Sequence, residues 1–440
     1  MTSLSRELVR RMRARPVGEA DLVGAERYVR DWLGSFVAGR RTSAGAILEA
    51  YGGGARDLES RVFLASALSH VTETDDLHRA SVTHPGCVVI PAAWLLARGL
   101  GVRGRALLGA VIVGYEAMTR VGEALGPGHY RLFHNTATAG VFGSAAAAAS
   151  LLGLDEDGWV WALGNAGTQA AGLWQFNEDA AMSKHLHAGH AAACGLRAAL
   201  LAREGFTGAE AILEGERGFF RALCPDPDPD AVLADADAWK LAETSIKPYP
   251  CCRHTHPAID AALEVRSSLD GKRPGRVRVT SYPAALAVTD RPRPDTPYGA
   301  RFSLQYCVAT ALLRGPPGLE AFEPGALGDA GVHGLLSRTS VEASPELEAA
   351  YPARWGARVE VETTDGEVLR ASRDTARGDP DQPLSDGELD AKVRGLLRHG
   401  GMDDEAVGRF LRRCRRMVED GRPFRLVENA TVRPRRGSRS

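Results

Sequence analysis

Three polar clusters interrupt an otherwise helical, alanine-rich sequence, and each holds residue types suited to moving protons. The first is Glu73-Thr-Asp-Asp-Leu-His78, followed by Thr83-His84-Pro-Gly86. Carboxylates near a histidine raise its basicity and orient its ring, as a general acid–base near neutral pH requires. Pro85 keeps His84 out of helical conformation, at the mouth of the helix that follows. The same residues admit two other readings. Asp75 and Asp76 cap a helix beside a solvated His78, or Asp75, Asp76, His78 and His84 ligate Mn, Fe or Zn. The second cluster is Phe133-His134-Asn-Thr136, at the start of an alanine-rich helix. The first N–H groups of that helix can hold an anion, or Asn135 or Thr136 is simply its N-cap. The third is Met182-Ser-Lys-His-Leu-His-Ala-Gly-His190. A lysine such as Lys184 binds a carboxylate or, when desolvated, exchanges protons. His185 and His190 read as surface residues. His185 and His187 as a metal pair have no acidic residue spaced with them.

Two later segments matter for position. Lys247-Pro-Tyr-Pro-Cys-Cys-Arg-His-Thr-His256, stiffened by Pro248, Pro250 and Pro257, is a rigid connector where two domains should meet, and sites favour such junctions. In Arg301-Phe-Ser-Leu-Gln-Tyr306, periodicity alone makes Tyr306 a core tyrosine.

The elements that must place these clusters change type along the chain. Residues 105–125 carry Leu107, Leu108, Val111, Ile112, Tyr115, Met118 and Val121 at helical spacing. Ser144 to Leu152 is small on every side and suits a helix packed closely among others. Asp155 is an N-cap for the next helix, and another runs from about His190 to Arg203. Cys224 to Asp230, with three prolines, is an exposed loop. After about residue 270, Arg276 to Thr280 and Ala357 to Thr363 alternate at period two, and Thr364-Asp-Gly366 signals a hairpin. Ser385-Asp-Gly-Glu388 has the form of a capping box, opening the first of two final helical runs. The expected layout is mainly α: helices over 1–257, a smaller α+β unit over 258–382, and helices over 383–440 returning to the first domain.

Composition narrows the function classes. The 440 residues are 44% hydrophobic and 25% charged, with 54 basic and 55 acidic side chains. That balance gives no field to draw the chain to nucleic acid or an anionic membrane. The one basic run, Arg433 to Arg439, reads as a solvated arm. Seven scattered cysteines form no C-x-x-C pair, so a reducing cytoplasm is expected, with neither a disulfide framework nor a cysteine zinc site. No signal peptide or apolar span is legible. There is no phosphate loop, no dinucleotide fingerprint and no nucleophile elbow, which favours chemistry by side chains, without cofactor or metal.

Read together and in order, these motifs resemble the MmgE/PrpD family. The resemblance is carried by the acidic pair before His84-Pro-Gly, Gly114-Tyr-Glu116, Phe133-His134, Met182-Ser-Lys-x-Leu-His-x-Gly, and Leu213-Glu-Gly-Glu-Arg-Gly-Phe-Phe220. Lys247-Pro-Tyr-Pro-Cys with Thr255-His-Pro257, and Arg301-Phe-Ser-x-Gln-Tyr306, extend it. It implies a helical domain built from both chain ends, an inserted α+β lid, a homodimer, and metal-independent action on a small di- or tricarboxylate. Catalytic parts fall on His84, Lys184, Tyr306, Glu73 and Asp75. Substrate binding falls on His134, Asp76, Lys184, His187, Cys252 and His256. Two positions depart from the family's pattern: Leu77 stands where many relatives have threonine, and Cys252 where itaconate-forming decarboxylases have histidine. Cys252 counts against decarboxylation, and β-elimination needs both an acid and a base, which these clusters supply, so dehydration of a hydroxy-polycarboxylate is the first expectation. Epimerisation of the iminodisuccinate kind and decarboxylation of the cis-aconitate kind are the alternatives, and a metal-dependent hydrolase or a non-catalytic carboxylate binder the outsiders.

Overall fold

In the computed structural model, which describes residues 2–179 and 181–423, the fold grows outward from one helix, Asn135–Leu152. Its alanines and glycines leave no bulk on any face, so four helices close in on it: Pro85–Leu100, Gly104–Glu123, Glu156–Gly167 and Ser183–Arg203. The crossing with Gly104–Glu123 is tightest where two glycines meet. A Cβ on Gly143 would lie 2.8 Å from the Gly114 carbonyl oxygen, and one on Gly114 would lie 2.9 Å from that of Gly143. The helix starts at Asn135, earlier than the alanine run suggested, and Ser183–Arg203 likewise starts at the lysine–histidine cluster.

The last helices do return to this bundle. Asp386–His399 packs on Glu19–Gly39, where Lys392 pairs with Asp31 at 2.5 Å and Asp390 with Arg30 at 2.5 Å. Leu389, Val393, Phe410 and Cys414 are buried in the same core as Val29 and Trp94. The capping box forms as expected, with Ser385 and Glu388 satisfying each other's backbone N–H groups. Asp155 also caps its helix, through Gly158. The basic run at Arg433 to Arg439 lies outside the described residues.

A second core is built on a sheet. Strands β1 (Leu77–His78) and β2 (Thr244–Ser245) form a short antiparallel pair within the helical part. Strands β3 (Pro274–Ser281), β4 (Thr339–Ala343), β5 (Ala357–Thr363) and β6 (Val368–Arg373) make a separate sheet in the order β4-β3-β5-β6. β3 runs parallel to β4 and antiparallel to β5, and β5 turns into β6 through Gly366 at φ 89°. Val277, Val279, Val359 and Val361 bury one face against helices His256–Ser267 and Leu304–Arg314, while Arg276 and Arg278 face outward. The architecture is mainly α, with an α+β unit inserted between helices contributed by both chain ends. Among the described residues, no helix is long and apolar enough to cross a membrane.

Candidate active site

Three helices begin at one cavity: Pro85–Leu100 with His84 as its N-cap residue, Asn135–Leu152 with His134, and Ser183–Arg203 with Lys184 in its first turn. None of the three residues that precede these helices caps its helix with its own side chain, although Asp76 accepts from the Gly86 N–H in the first turn of Pro85–Leu100. Their positive ends therefore converge on the same space, together with an ammonium group. The remaining lining comes from Glu73, Leu77, Val82, Tyr130 and Trp174 on the helical side and from Cys252, Arg253, His254, Val288, Phe302 and Trp355 on the α+β side. The cavity is narrow, with about 30 Å³ for the centres of water molecules, so a substrate must displace part of a wall.

The acidic segment reaches this cavity through strained backbone. Glu73 (φ 56°) and Val82 (φ 50°) both sit in the left-handed region, which costs a side-chain-bearing residue, and a β-branched one most. Between them, Asp76 turns inward. Its carboxylate accepts from the Gly86 N–H at 2.8 Å and the Tyr115 hydroxyl at 2.6 Å. A Cβ on Gly86 would lie 2.8 Å from that carboxylate, so the glycine of His84-Pro-Gly86 is there to admit it. Asp76 does not line the cavity; burial, with Asp75 adding to it, raises its carboxyl to about 7.

His84 has a fixed tautomer. Its Nδ1 lies 2.7 Å from the Asp76 carbonyl oxygen, which can only accept, so Nδ1 carries the proton and Nε2 keeps its lone pair. The carboxylate of Asp75, 3.3 Å from the same Nδ1, reinforces this orientation. Burial outweighs Asp75 and lowers His84 to about 4, so the ring is neutral at pH 7 and stands ready as a base. Its backbone N–H donates to Thr136 Oγ1 at 3.1 Å, tying two of the three helix starts together.

Behind the cavity runs a buried chain of alternating charge. Glu73 accepts from Lys184 and stands 3.5 Å from Lys247, which in turn is 3.8 Å from Asp75; Asp75 accepts from His70 Nδ1 at 2.7 Å. Burial opposes the charge on Glu73, but Lys184 and Lys247 hold its carboxyl well below the ordinary range. Burial likewise opposes ionisation of Asp75, and His70 with Lys247 overrides it. Lys247, fully buried, stays charged because Asp75 and Glu73 outweigh its desolvation. The pairing of β1 with β2 explains its arrival. Leu77 pairs with Ser245, so continuing that register two residues brings Lys247 opposite Asp75.

Of the residues expected at the site, Glu73, His84, His134, Lys184 and Cys252 line the cavity. Asp75 stands one layer behind. His187 is half-buried, its Nδ1 3.4 Å from His134 Nδ1, and burial lowers it to about 4. His134 itself is held neutral by burial and by Lys184, its ring flanked by Trp174 at 5.0 Å. Cys252 donates its backbone N–H to the Arg301 carbonyl, and burial pushes its thiol up to about 12, so it enters as a small neutral wall.

The expectations for Tyr306, His256, His185 and His78 are corrected. Tyr306 does not reach the cavity: its hydroxyl donates to the Ala321 carbonyl at 2.6 Å and its ring packs on Phe322 in the second core. His256 is structural, taking a bond from Arg253 at 2.8 Å and lying 3.2 Å from the Cys251 carbonyl. His185 is buried against His70 (ring centres 6.1 Å apart), not on the surface. Asp76 does meet a helix start, through the Gly86 N–H, but His78 is buried and not solvated, with Nε2 3.8 Å from Glu123 and 3.7 Å from Glu243.

Sequence reasoning gave no role to His70 or Lys247, nor to the aromatic walls Trp174, Phe302 and Trp355. His70 closes the helix Leu58–His70, three residues before Glu73, and that proximity was the available signal. Ligand atoms of His70, Asp75 and His84 lie within 4.8 Å of one another, as do those of His78, Glu123 and Glu243. In the first group both Nδ1 atoms are spent on hydrogen bonds and Lys247 already faces Asp75. In the second, Lys240 Nζ bonds both carboxylates at 3.0 Å. Both sets fit internal ion pairing better than a divalent cation.

The chain is similar to known proteins over most of its length. The MmgE/PrpD N-terminal domain matches residues 51–232 and the MmgE/PrpD C-terminal domain residues 249–415. A cis-aconitate decarboxylase-like protein of Aspergillus oryzae is 30% identical over 381 residues, covering 80% of this chain and 78% of that protein. The human cis-aconitate decarboxylase is 29% identical over 76% of this chain and 71% of its own length, and that of Aspergillus terreus 27% over 78% and 74%. With both family domains matched in order along the chain, this protein belongs to the MmgE/PrpD family.

Proposed function

We propose that this enzyme is a lyase that works through its own side chains on a small unsaturated or hydroxylated carboxylic acid, and that decarboxylation is its first reaction. The observation that carries the reading is the convergence of Lys184, neutral His84 and three helix starts on one narrow cavity. Each reaction of this kind must steady negative charge at a carbon next to a carboxylate. Donors and dipoles fixed in a water-poor space do this without reorganising.

Decarboxylation is favoured by the relatives, which bear the name cis-aconitate decarboxylase. Lys184 and the helix starts hold the carboxylate that stays. The bond to the departing carboxylate breaks, its electron pair forms a new double bond, and the old double bond's pair takes a proton at the far carbon. Dehydration is the second reading, favoured by His84. A neutral ring with an open Nε2 is suited to taking a proton from carbon while an acid protonates the leaving hydroxyl.

The test is incubation with di- and tricarboxylic acids in deuterated water, followed by NMR. Loss of carbon dioxide with deuterium at the new methylene supports decarboxylation, and appearance of an alkene from a hydroxy acid supports dehydration. Deuterium exchange without net conversion would move the assignment to an epimerase. An unchanged panel defeats the lyase reading.

A further inference from the structure

The cavity has two unlike sides, and the difference bears on what fits between them. On one side stand Glu73, His84, His134 and Lys184 with all three helix starts. The other side is mixed in origin: Leu77 and Val82 from the helical part join Trp355 of the α+β unit in a small hydrophobic cluster, apart from both main cores, and Val288 continues that wall. His254 adds a flat face rather than a donor. Its ring stacks on Trp355 at 4.3 Å and 4°, and its Nδ1 is engaged with the Tyr282 hydroxyl at 2.6 Å.

Charge at the site is already balanced. The buried cations Lys184 and Lys247 face the buried carboxylates Glu73 and Asp75. Arg253 lines the cavity, but its two terminal nitrogens are bound to Asp379, His256 and the carbonyls of Ala376 and Arg377. Arg291 is turned to Asn177, and Arg301, which donates to the Val71 carbonyl and keeps a buried Nε without a partner, does not line the cavity. Each further carboxylate brought into such a space needs a partner or carries an uncompensated desolvation cost. On the apolar side nothing offers one.

We infer that the substrate is a short dicarboxylate carrying an uncharged apolar substituent, which lies against Leu77, Val82, Val288 and Trp355, and not a tricarboxylate. This rests on the lyase reading for the identity of the charged end. In the decarboxylation, the substituent occupies the central carbon of a glutaconate skeleton, where cis-aconitate carries its third carboxylate. The two remaining carboxylates, one held and one lost, both lie toward Lys184.

The experiment compares cis-aconitate with glutaconates bearing methyl, propyl or hexyl at the central carbon, on the full chain. Binding is followed by calorimetry and carbon dioxide release separately. The alkyl series should bind at least about 10-fold more tightly than cis-aconitate, gaining about 3–4-fold per methylene until the wall is filled. Trp355→Ala should flatten that gain, so that hexyl binds no more tightly than methyl. Alkyl compounds that bind better but are not turned over support the substrate class and count against the lyase reading alone. Cis-aconitate bound and decarboxylated at least as well as the alkyl series overturns the substrate class and leaves the lyase reading standing. Binding of neither overturns the inference.

Discussion

The helical wall of the cavity and the α+β wall opposite it are held in place by different forces. The helical wall presents Glu73, His84, His134 and Lys184, each fixed by helix starts, a backbone carbonyl or a buried counter-charge. The α+β wall presents Cys252, His254, Val288, Phe302 and Trp355, held mainly by packing and ring stacking. Networks of buried charge tolerate few changes, because removing one member strands the rest. Apolar walls tolerate many, at the cost of shape. Chemistry should therefore be concentrated on the first wall and selectivity on the second.

The most severe test of that division is His84→Ala beside Lys184→Ala. Each should lower kcat by about 10²–10⁴-fold in a chain that remains folded by circular dichroism. Near wild-type turnover in either would erase the distinction. Next in size, Lys247→Met should cost about 3–5 kcal/mol in denaturant unfolding, since it strands Glu73 and Asp75 in the interior. A surface change on the sheet, such as Arg276→Ala, should stay within about 0.5 kcal/mol. On the opposite wall, Phe302→Ala should raise KM about 10-fold with kcat nearly unchanged, the signature of lost uniform binding. A fall in kcat instead would place Phe302, 5.2 Å from Lys184 Nζ, with the chemistry.

Acid should weaken the fold before it reaches the surface carboxylates. Burial lowers His84 and His187 to about 4 and His185 and His254 to about 3, against an unfolded value of about 6.5. Between those values the unfolded chain binds protons that the folded one refuses, so stability is full above pH 6.5 and declines toward pH 4. Asp76, raised to about 7, works in the opposite sense, as do the raised Glu26 and Asp31, but burial lowers His129, His134, His256 and His399 as well, and the histidines outnumber them. A melting temperature flat from pH 7 to pH 4.5 would contradict the neutral histidines. The smallest effect belongs to Tyr306→Phe, which should lose about 1 kcal/mol of stability with its bond to Ala321 and leave kcat/KM unchanged.

How much of this the sequence discloses depends on the reach of each signal. Local chemistry is legible: the Ser385–Glu388 capping box, the Asp155 cap, the hairpin at Gly366 and the alternation from Arg276 to Thr280 all appear where residue types require them. The site is legible where helix starts announce it, at His84, His134 and Lys184. Lys247 is not, because it reaches Asp75 only through the pairing of β1 with β2, two residues each and too short to leave a pattern. Tyr306 shows the converse. A motif put it at the site, but the turn of Leu304–Arg314 sends its hydroxyl toward Ala321. Whether a helical side chain faces a cavity or a core depends on the neighbours its helix finds, and one sequence does not record them.

The pairing of Leu77 with Ser245 has a mechanical consequence. It joins the connector that leads into the α+β unit to the strained segment between Glu73 and Val82. Any outward swing of that unit large enough to admit a ligand pulls on this tether, and with it on the ammonium that keeps two carboxylates apart. Entry by such a swing would loosen the charge array, and return of the unit would restore its balance.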